Sequence, residues 1–480
     1  MSDAPAAVVV ASNRGPLAFS LGPDGKLACR RGGGGLIAGL ASDAIAAQAT
    51  WVCAALTAAD RAAARNAPDG RLDRAGHPSP GALRMLPLPS AMFHRAYNGV
   101  ANSVLWFVHH LLFDTPFRPE FDQRFARDWQ AYRTYNAAFA AALAEEAGPA
   151  GRVLVQDYHL TLTPAMLRAR RPDLRIGHFS HTPWAPPDYY RMLPDAVAVE
   201  ILEGVLGADH AGFLTARWAG AFLDCAEQVL GAKVDRAQSL VHHRGRTTKV
   251  GVHPLGTDAE SLRARAQQPD VSAHRTALAE LVGNRRLIVR VDRTELSKNI
   301  IRGLGAYREL LRTRPEWRGK VVHMAFAYPS RHDLPEYREY TAAVQRIAKE
   351  IDDEFGTDTW QPLILAVDDD FPRSLAAFRL ADVVVVNPIR DGMNLVAKEA
   401  PVVSERGCAL VLSREAGAFA TLGADAVPVN PYDISGTAKA LHEALTMDPA
   451  ERAARAARLA EAATVCPPEQ WFAELIAALD

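Results

Sequence analysis

Long apolar runs are missing from this sequence: the stretches 7–11 and 383–386 are strand-sized, well short of the ~18 residues that a bilayer-spanning helix requires. No membrane span is expected. The start, Met-Ser-Asp-Ala-Pro, has neither the basic segment nor the apolar stretch of a secretory leader, so a cytoplasmic protein is expected. Cysteine is scarce. Cys29, Cys53, Cys225, Cys408 and Cys466 are odd in number and scattered, with no Cys-x-x-Cys pair and no histidine at ligand spacing, which fits neither a disulfide framework nor a zinc site. A surplus of charge is missing too, because 54 basic residues stand against 55 acidic ones and the net charge is -1. Nucleic acid and anionic membranes are therefore not expected partners, and an anionic ligand must be held by a few placed residues. No period of roughly 20 to 50 residues recurs, which sets aside solenoids and propellers.

What is present is 480 residues, 49% hydrophobic and 23% charged. A single core stops growing at about 250 to 300 residues, so two α/β domains are expected. Short β-branched runs recur, each followed by a turn signal and a helix-patterned stretch, as in βα units with parallel sheets. The clearest are 7–12, 153–155 and 175–180 in the first half, then 287–291, 321–326, 362–366, 383–387, 409–413 and 426–429 in the second. Pro254 and Gly256 break regular structure between the two sets and mark a hinge. The tail at 450–459 is helical by propensity, and the last apolar helix, with Trp471 and Phe472, is placed to dock back on the first domain.

In open parallel sheets, ligands bind outside the carboxyl ends of the strands. Six places there carry chemistry. Ser12-Asn13-Arg14-Gly15 puts a guanidinium at a strand end, and Gly32 to Gly35 open an apolar helix whose amides are free to approach a phosphate. That glycine run is not a dinucleotide fingerprint, which speaks against a nicotinamide cofactor. Tyr97-Asn98-Gly99 and Trp106 lie in an aromatic, histidine-containing region suited to sugar rings, although such density also suits a core. Asp157 and His181 stand after neighbouring strands, within reach of one ligand. Arg293 and Lys298 follow another strand and Arg331 the next, a set of cations suited to a diphosphate or else to a solvated loop. The last place, Asn387 to Glu399, is a strand, a glycine turn and a helix start, which gathers amides for a phosphate with Glu399 one turn in.

Taken in order, Ser12-Asn13-Arg14, Gly34-Gly35-Leu36, Tyr97 with Trp106, Asp157-Tyr158-His159, His181-Thr182-Pro183, the run Leu202 to Asp209, Arg293 with Lys298, Ser330-Arg331 and Arg390 to Glu399 resemble the trehalose-6-phosphate synthase family over nearly the whole chain. The resemblance implies two Rossmann-like, doubly wound domains facing a cleft, the GT-B architecture. Residues 1–253 would bind the acceptor, 254–455 the nucleotide sugar, and 456–480 would cross back to the first domain. It implies a retaining glucosyltransferase that makes alpha,alpha-trehalose 6-phosphate from a nucleotide-glucose and glucose 6-phosphate, with no cofactor and no metal. A homo-oligomer is compatible with it.

Carried over by position, Arg293, Lys298, His181 and Asp391 would serve catalysis. Arg14 and Arg331 would grip the acceptor phosphate, with Tyr97, Trp106 and Asp157 placing its sugar. Gly34, Gly35, Asp391, Gly392, Met393, Asn394, Leu395, Val396, Ala397, Lys398 and Glu399 would contact the donor, Glu399 at the ribose.

Three departures stand out. Trp51-Val52-Cys53-Ala54-Ala55-Leu56 stands in place of a Gly-Trp-Ser-Gly type loop, and Glu295 and Asn299 stand where the family tends to have Asp and Gly. Such changes also suit relatives that couple a nucleotide-cyclitol to an amino-cyclitol phosphate, and a non-catalytic sugar-phosphate-binding regulator is a further alternative. Asp368 and Asp369 lie where the family holds the base. A carboxylate accepts both adjacent N–H groups of guanine, which points to GDP-glucose over UDP-glucose, unless these aspartates merely cap the next helix.

Overall fold

The computed structural model describes residues 8–22, 26–31, 49–73 and 81–480. The chain divides into two compact units, Met1–Pro254 with Pro468–Asp480, and Leu255–Pro467.

The first unit contains β1 (Val8–Ser12), β2 (Leu17–Leu21), β3 (Leu27–Arg31), β4 (Ala49–Ala54), β5 (Leu83–Leu86), β6 (Arg152–Gln156), β7 (Arg175–Ser180), β8 (His210–Phe213), β9 (Lys233–Asp235), β10 (Leu240–His243) and β11 (Arg246–Val252). Nine of these form one sheet in the order β5-β4-β1-β6-β7-β8-β11-β10-β9, while β2 and β3 make a separate hairpin. From β5 through β11 every pairing is parallel; β10 and β9 close the edge as an antiparallel meander. Of the expected strands, 175–180 keeps its bounds, 153–155 gains one residue at each end and 7–12 is described from Val8; β4, β5 and β8 join them. His210-Ala211-Gly212-Phe213 has no β-branched residue, so only its neighbours make it a strand.

The second unit contains β12 (Arg286–Arg293), β13 (Val321–Tyr328), β14 (Leu363–Ala366), β15 (Val383–Val386), β16 (Ala409–Ser413) and β17 (Val427–Val429). All pair in parallel in the order β14-β13-β12-β15-β16-β17. The strands are buried on both faces, as continuous apolar runs such as Val383 to Val386 require. Counted along each unit, both sheets place their first six wound strands in the order 3-2-1-4-5-6, the doubly wound pattern.

Helix Pro449–Ala463 stays with the second unit: Leu459 and Ala456 are buried, and Arg452 pairs with the buried Asp382 at 3.3 Å. The sequence-based boundary at 456 falls inside this helix, and the return comes at Pro468 instead. Helix Pro468–Ala477 then seals the first unit. Its buried Trp471 stands edge-on to Phe179 at 4.8 Å and donates from Nε1 to the His253 carbonyl at 3.1 Å. Among the described residues no helix is long and apolar enough to cross a membrane.

Candidate active site

In the six-stranded sheet the strand order reverses between β12 and β15, so the connections leave to opposite faces and open a crevice at the carboxyl ends. Arg293 ends β12 and Lys298 follows it; residues 387–399 follow β15. Lys298 Nζ meets Asp391 Oδ2 at 2.6 Å and joins the two loops, and Asn394 Nδ2 donates to the same oxygen at 3.0 Å. Burial pushes the Lys298 ammonium down, but Asp391, Asp292 and Glu295 outweigh it and hold the group above its ordinary value. The ammonium stays charged. Below it the buried Arg290 donates to Asp292 at 2.7 Å and to the Lys298 carbonyl at 3.1 Å, which fixes the turn.

Glu295 sits at the centre of the cations. It is fully buried, accepts from Ser330 Oγ at 3.0 Å, and pairs with Arg293 Nη1 at 3.0 Å and Arg331 Nη1 at 3.4 Å. Burial pushes its carboxyl up, yet Arg293, Arg331 and Lys298 overcome that and bring it to about 2. Arg331, at φ 48, also donates to Tyr337 OH at 2.6 Å. Asn299 has φ 57, the left-handed region that glycine would occupy without strain, and its Nδ2 donates to the Asn387 and Pro431 carbonyls at 3.0 and 2.7 Å. The departure from glycine thus tightens the loop.

Beyond β15, Asn394 adopts φ 77 and caps helix Leu395–Val403, its Oδ1 accepting from Ala397 N at 3.2 Å. The amides of Leu395 and Val396 lie ahead of that bond, at the positive end of the helix dipole. Gly392 and Met393 are held from behind: a Cβ on Gly417 would sit 1.8 Å from the Gly392 carbonyl, and Ala418 N donates to the Met393 carbonyl at 2.7 Å. Burial pushes the Glu399 carboxyl up to about 7. Lys398 turns the other way. Its buried ammonium donates to the Leu255 carbonyl at 2.6 Å, and burial brings it down to about 8. Asp368 and Asp369 are exposed past β14, whereas Asp370 caps helix Phe371–Leu380 by accepting from Arg373 N at 3.0 Å.

The nine-stranded sheet reverses between β1 and β6. After β1 the buried Asn13 accepts from Tyr135 OH at 2.6 Å and Arg14 is exposed. After β6, Asp157 at φ 72 accepts from His181 N at 3.2 Å, which ties the ends of β6 and β7 together. His181 Nε2 lies 2.8 Å from Gln156 Oε1. With that amide oxygen accepting, the imidazole donates from Nε2 and keeps a lone pair on Nδ1. Burial and the neighbouring His178 push His181 to about 3, so it stays neutral.

Tyr97 and Trp106 stand at either end of a π-helix, Arg95–Leu105, in which the Trp106 amide bonds the Ala101 carbonyl five residues back. An α-helix makes about two and a half turns over nine residues and would set these rings on opposite faces. The i→i+5 register, at roughly 4.4 residues per turn, makes about two turns and sets them on one. Both rings do meet the segment after β6: Tyr97 stacks on His159 at 5.5 Å and Trp106 tilts against Tyr158 at 5.6 Å.

Arg293, Lys298, Asp391 and Glu399 therefore stand at one strand-order reversal and Arg14 and Asp157 at the other, while Arg331 follows β13, Asp368 and Asp369 follow β14, and Lys398 turns away. Gly34 and Gly35 lie outside the described residues. Trp51 to Ala54, expected as a departing loop, is the buried strand β4, and Trp51 Nε1 donates to Ser12 Oγ at 2.7 Å beneath Arg14. Sequence reasoning passed over Glu295 as a site residue; the signal was an acidic residue set between two placed cations.

The sequence profile of glycosyltransferase family 20 matches residues 6–480. The chain is similar to the bifunctional trehalose-6-phosphate synthase/phosphatase of Thermoproteus tenax, 35% identical over 83% of this chain, and spans about half of that protein's length, 53%. It is 37% identical to the UDP-forming alpha,alpha-trehalose-phosphate synthase of Schizosaccharomyces pombe over 76% of this chain and 70% of that one. The trehalose-6-phosphate synthase of Mycobacterium sp. (strain JLS) is 33% identical over 98% of this chain and 95% of its own. Among solved structures, one from E. coli of the same type, bound with UDP-2-fluoro glucose, gives a TM-score of 0.86 at 28% identity, covering 98% of each chain.

Proposed function

The chain belongs to glycosyltransferase family 20 and has the GT-B fold, and we propose that it makes alpha,alpha-trehalose 6-phosphate by transferring glucose, with retention, from a nucleotide-glucose to glucose 6-phosphate. The observation that carries this reading is the pair of loops at the β12/β15 reversal, joined by Lys298 and Asp391, with Arg293 at the end of β12 and a capped helix start at Leu395. As the bond from the anomeric carbon to the diphosphate oxygen breaks, the two cations and the amides of Leu395 and Val396 stabilise the leaving charge. The acceptor hydroxyl attacks on the same face and gives its proton to an oxygen of the departing diphosphate, so no enzyme carboxylate forms a covalent intermediate.

Asp391, held by Lys298 and Asn394, and the neutral His181 would bind donor-sugar hydroxyls. Glu399 would take the ribose hydroxyls. Arg331 and Arg14 would take the acceptor phosphate, and Tyr97, Trp106 and Asp157 its sugar.

The base of the donor is the finer part of the proposal. A guanine base is proposed because the exposed carboxylates of Asp368 and Asp369 could accept its two adjacent N–H groups, whereas the S. pombe relative is UDP-forming, so both donors enter the test. Purified protein is incubated with glucose 6-phosphate and GDP-, UDP- or ADP-glucose, with Arg293→Ala as control. Trehalose 6-phosphate is expected, fastest from GDP-glucose and lost in the variant; no disaccharide from any donor would overturn the reaction. A GDP/UDP preference left unchanged when Asp368 and Asp369 become Asn would overturn the guanine reading alone.

A further inference from the structure

We propose that Glu295 is a positioning residue shared by both substrates, its single buried carboxylate aiming Arg293 at the donor diphosphate and Arg331 at the acceptor phosphate. The inference rests on the assignment above of each arginine to its anion. Each carboxylate oxygen takes a different arginine: Oε1 holds Arg293 at 3.0 Å together with Ser330 Oγ, and Oε2 holds Arg331 at 3.4 Å. The Glu295 side chain is wholly buried while that of Arg293 is 52% exposed. The anchor is fixed and the fork it holds reaches outward.

A guanidinium presents five N–H donors in a rigid plane, so tethering part of the fork orients the rest toward a phosphate. Charge works in the same direction. With Lys298 paired to Asp391, Arg293 and Arg331 carry two positive charges around the single negative one of Glu295, which keeps the cations close and leaves a net positive field for two phosphorylated ligands. Glutamine offers one acceptor oxygen and one NH₂, so an amide at this position satisfies one guanidinium and faces the other donor to donor.

The experiment measures binding of UDP, GDP and glucose 6-phosphate, each alone, by calorimetry on the full chain, with melting temperature as a folding control. Arg293→Ala is expected to weaken only the nucleoside diphosphates and Arg331→Ala only glucose 6-phosphate. Glu295→Ala is expected to weaken both classes by about tenfold, and Glu295→Asp, which keeps the charge on a shorter arm, to recover part of each loss. A folded Glu295→Ala that changes one class or neither overturns the proposal. Should Glu295→Ala not fold, Glu295→Gln is expected to lose at least one class, and wild-type binding of both overturns it. If instead the two arginine variants fail to separate the ligand classes, the assignment of the arginines falls, independently of what Glu295 does.

Discussion

At the reversal of the six-stranded sheet the important side chains are charged and paired in advance: Lys298 with Asp391, Arg293 and Arg331 with Glu295. At the reversal of the nine-stranded sheet Arg14 and Asp157 stand among groups that are neutral or aromatic: Asn13, Gln156, a neutral His181, Tyr97 and Trp106. The same strand order thus serves two kinds of recognition. Phosphates call for charges that no ordinary pH removes, and a buried counter-carboxylate secures them. Sugar hydroxyls and ring faces call for uncharged donors, acceptors and flat surfaces, and burial keeps the imidazole uncharged. The comparison is sharpest where one half can be damaged and the other left alone.

The largest effect is expected from Lys298→Ala, which removes a cation from the leaving group and strands Asp391. A fall in kcat/KM of roughly 10²–10³ is expected, with KM for glucose 6-phosphate little changed. A loss carried by the acceptor KM would break the division of labour. Next comes a change of register without loss of any functional group. Deleting Ala101 removes one residue from the π-helix and turns Trp106 away from Tyr97, so acceptor KM should rise at least about tenfold while the affinity for UDP or GDP holds. Equal damage to both ligands would refute the idea that the wide helix serves the acceptor.

Acid should separate the halves by a smaller margin. In the first unit burial pushes His178, His181 and His210 to about 4, 3 and 4, from 6.5. For a depressed imidazole the unfolded chain protonates first, so its contribution is complete above 6.5 and is lost as pH falls toward 3 to 4. In the second unit His323 behaves in this way, and Glu295, depressed to about 2, keeps its contribution down to about its ordinary 4.5. Calorimetry between pH 7 and 5 should therefore show the first unit's transition falling by about 5 °C or more, ahead of the second. The reverse order would contradict the balance of buried imidazoles. The smallest effect is expected from Asn299→Gly: three side-chain hydrogen bonds are lost and left-handed strain is relieved, for a net loss of about 1 kcal/mol and no change in either KM. A kinetic effect there would mean that the Asn299 loop is part of the ligand site and not only its support.

Much of this was legible in the sequence because strand ends are legible. The β-branched runs that became β1, β6, β7 and β12 to β17 put Arg14, Asp157, His181, Arg293 and Asp391 at carboxyl ends before any coordinates were considered. What was hidden depended on rotation and on distant partners. Tyr97-Asn98-Gly99 reads as part of an aromatic region, yet it lies within the π-helix, and Gly99 is there because a Cβ would come 2.6 Å from Asp128 Oδ2. Lys398 reads as a donor contact beside Glu399, but its place on the helix sends it to the Leu255 carbonyl. β8 lacks the composition of a strand and is made one by β7 and β11 on either side. Glu295 reads as one more charge in a loop until Ser330 and Arg331, brought in by the neighbouring strand β13, close around it.

The wide helix at Arg95–Leu105 makes the geometry of the aromatic pair depend on a count of residues rather than on their kinds. In an α-helix, adding or removing one residue turns everything downstream by about 100°; here such a step would move Trp106 relative to Tyr97 with both side chains still encoded. The spacing between two fixed rings becomes adjustable by insertion and deletion alone, which leaves each codon for a functional residue intact. A change of acceptor in a related protein should therefore be sought first in the length of this helix.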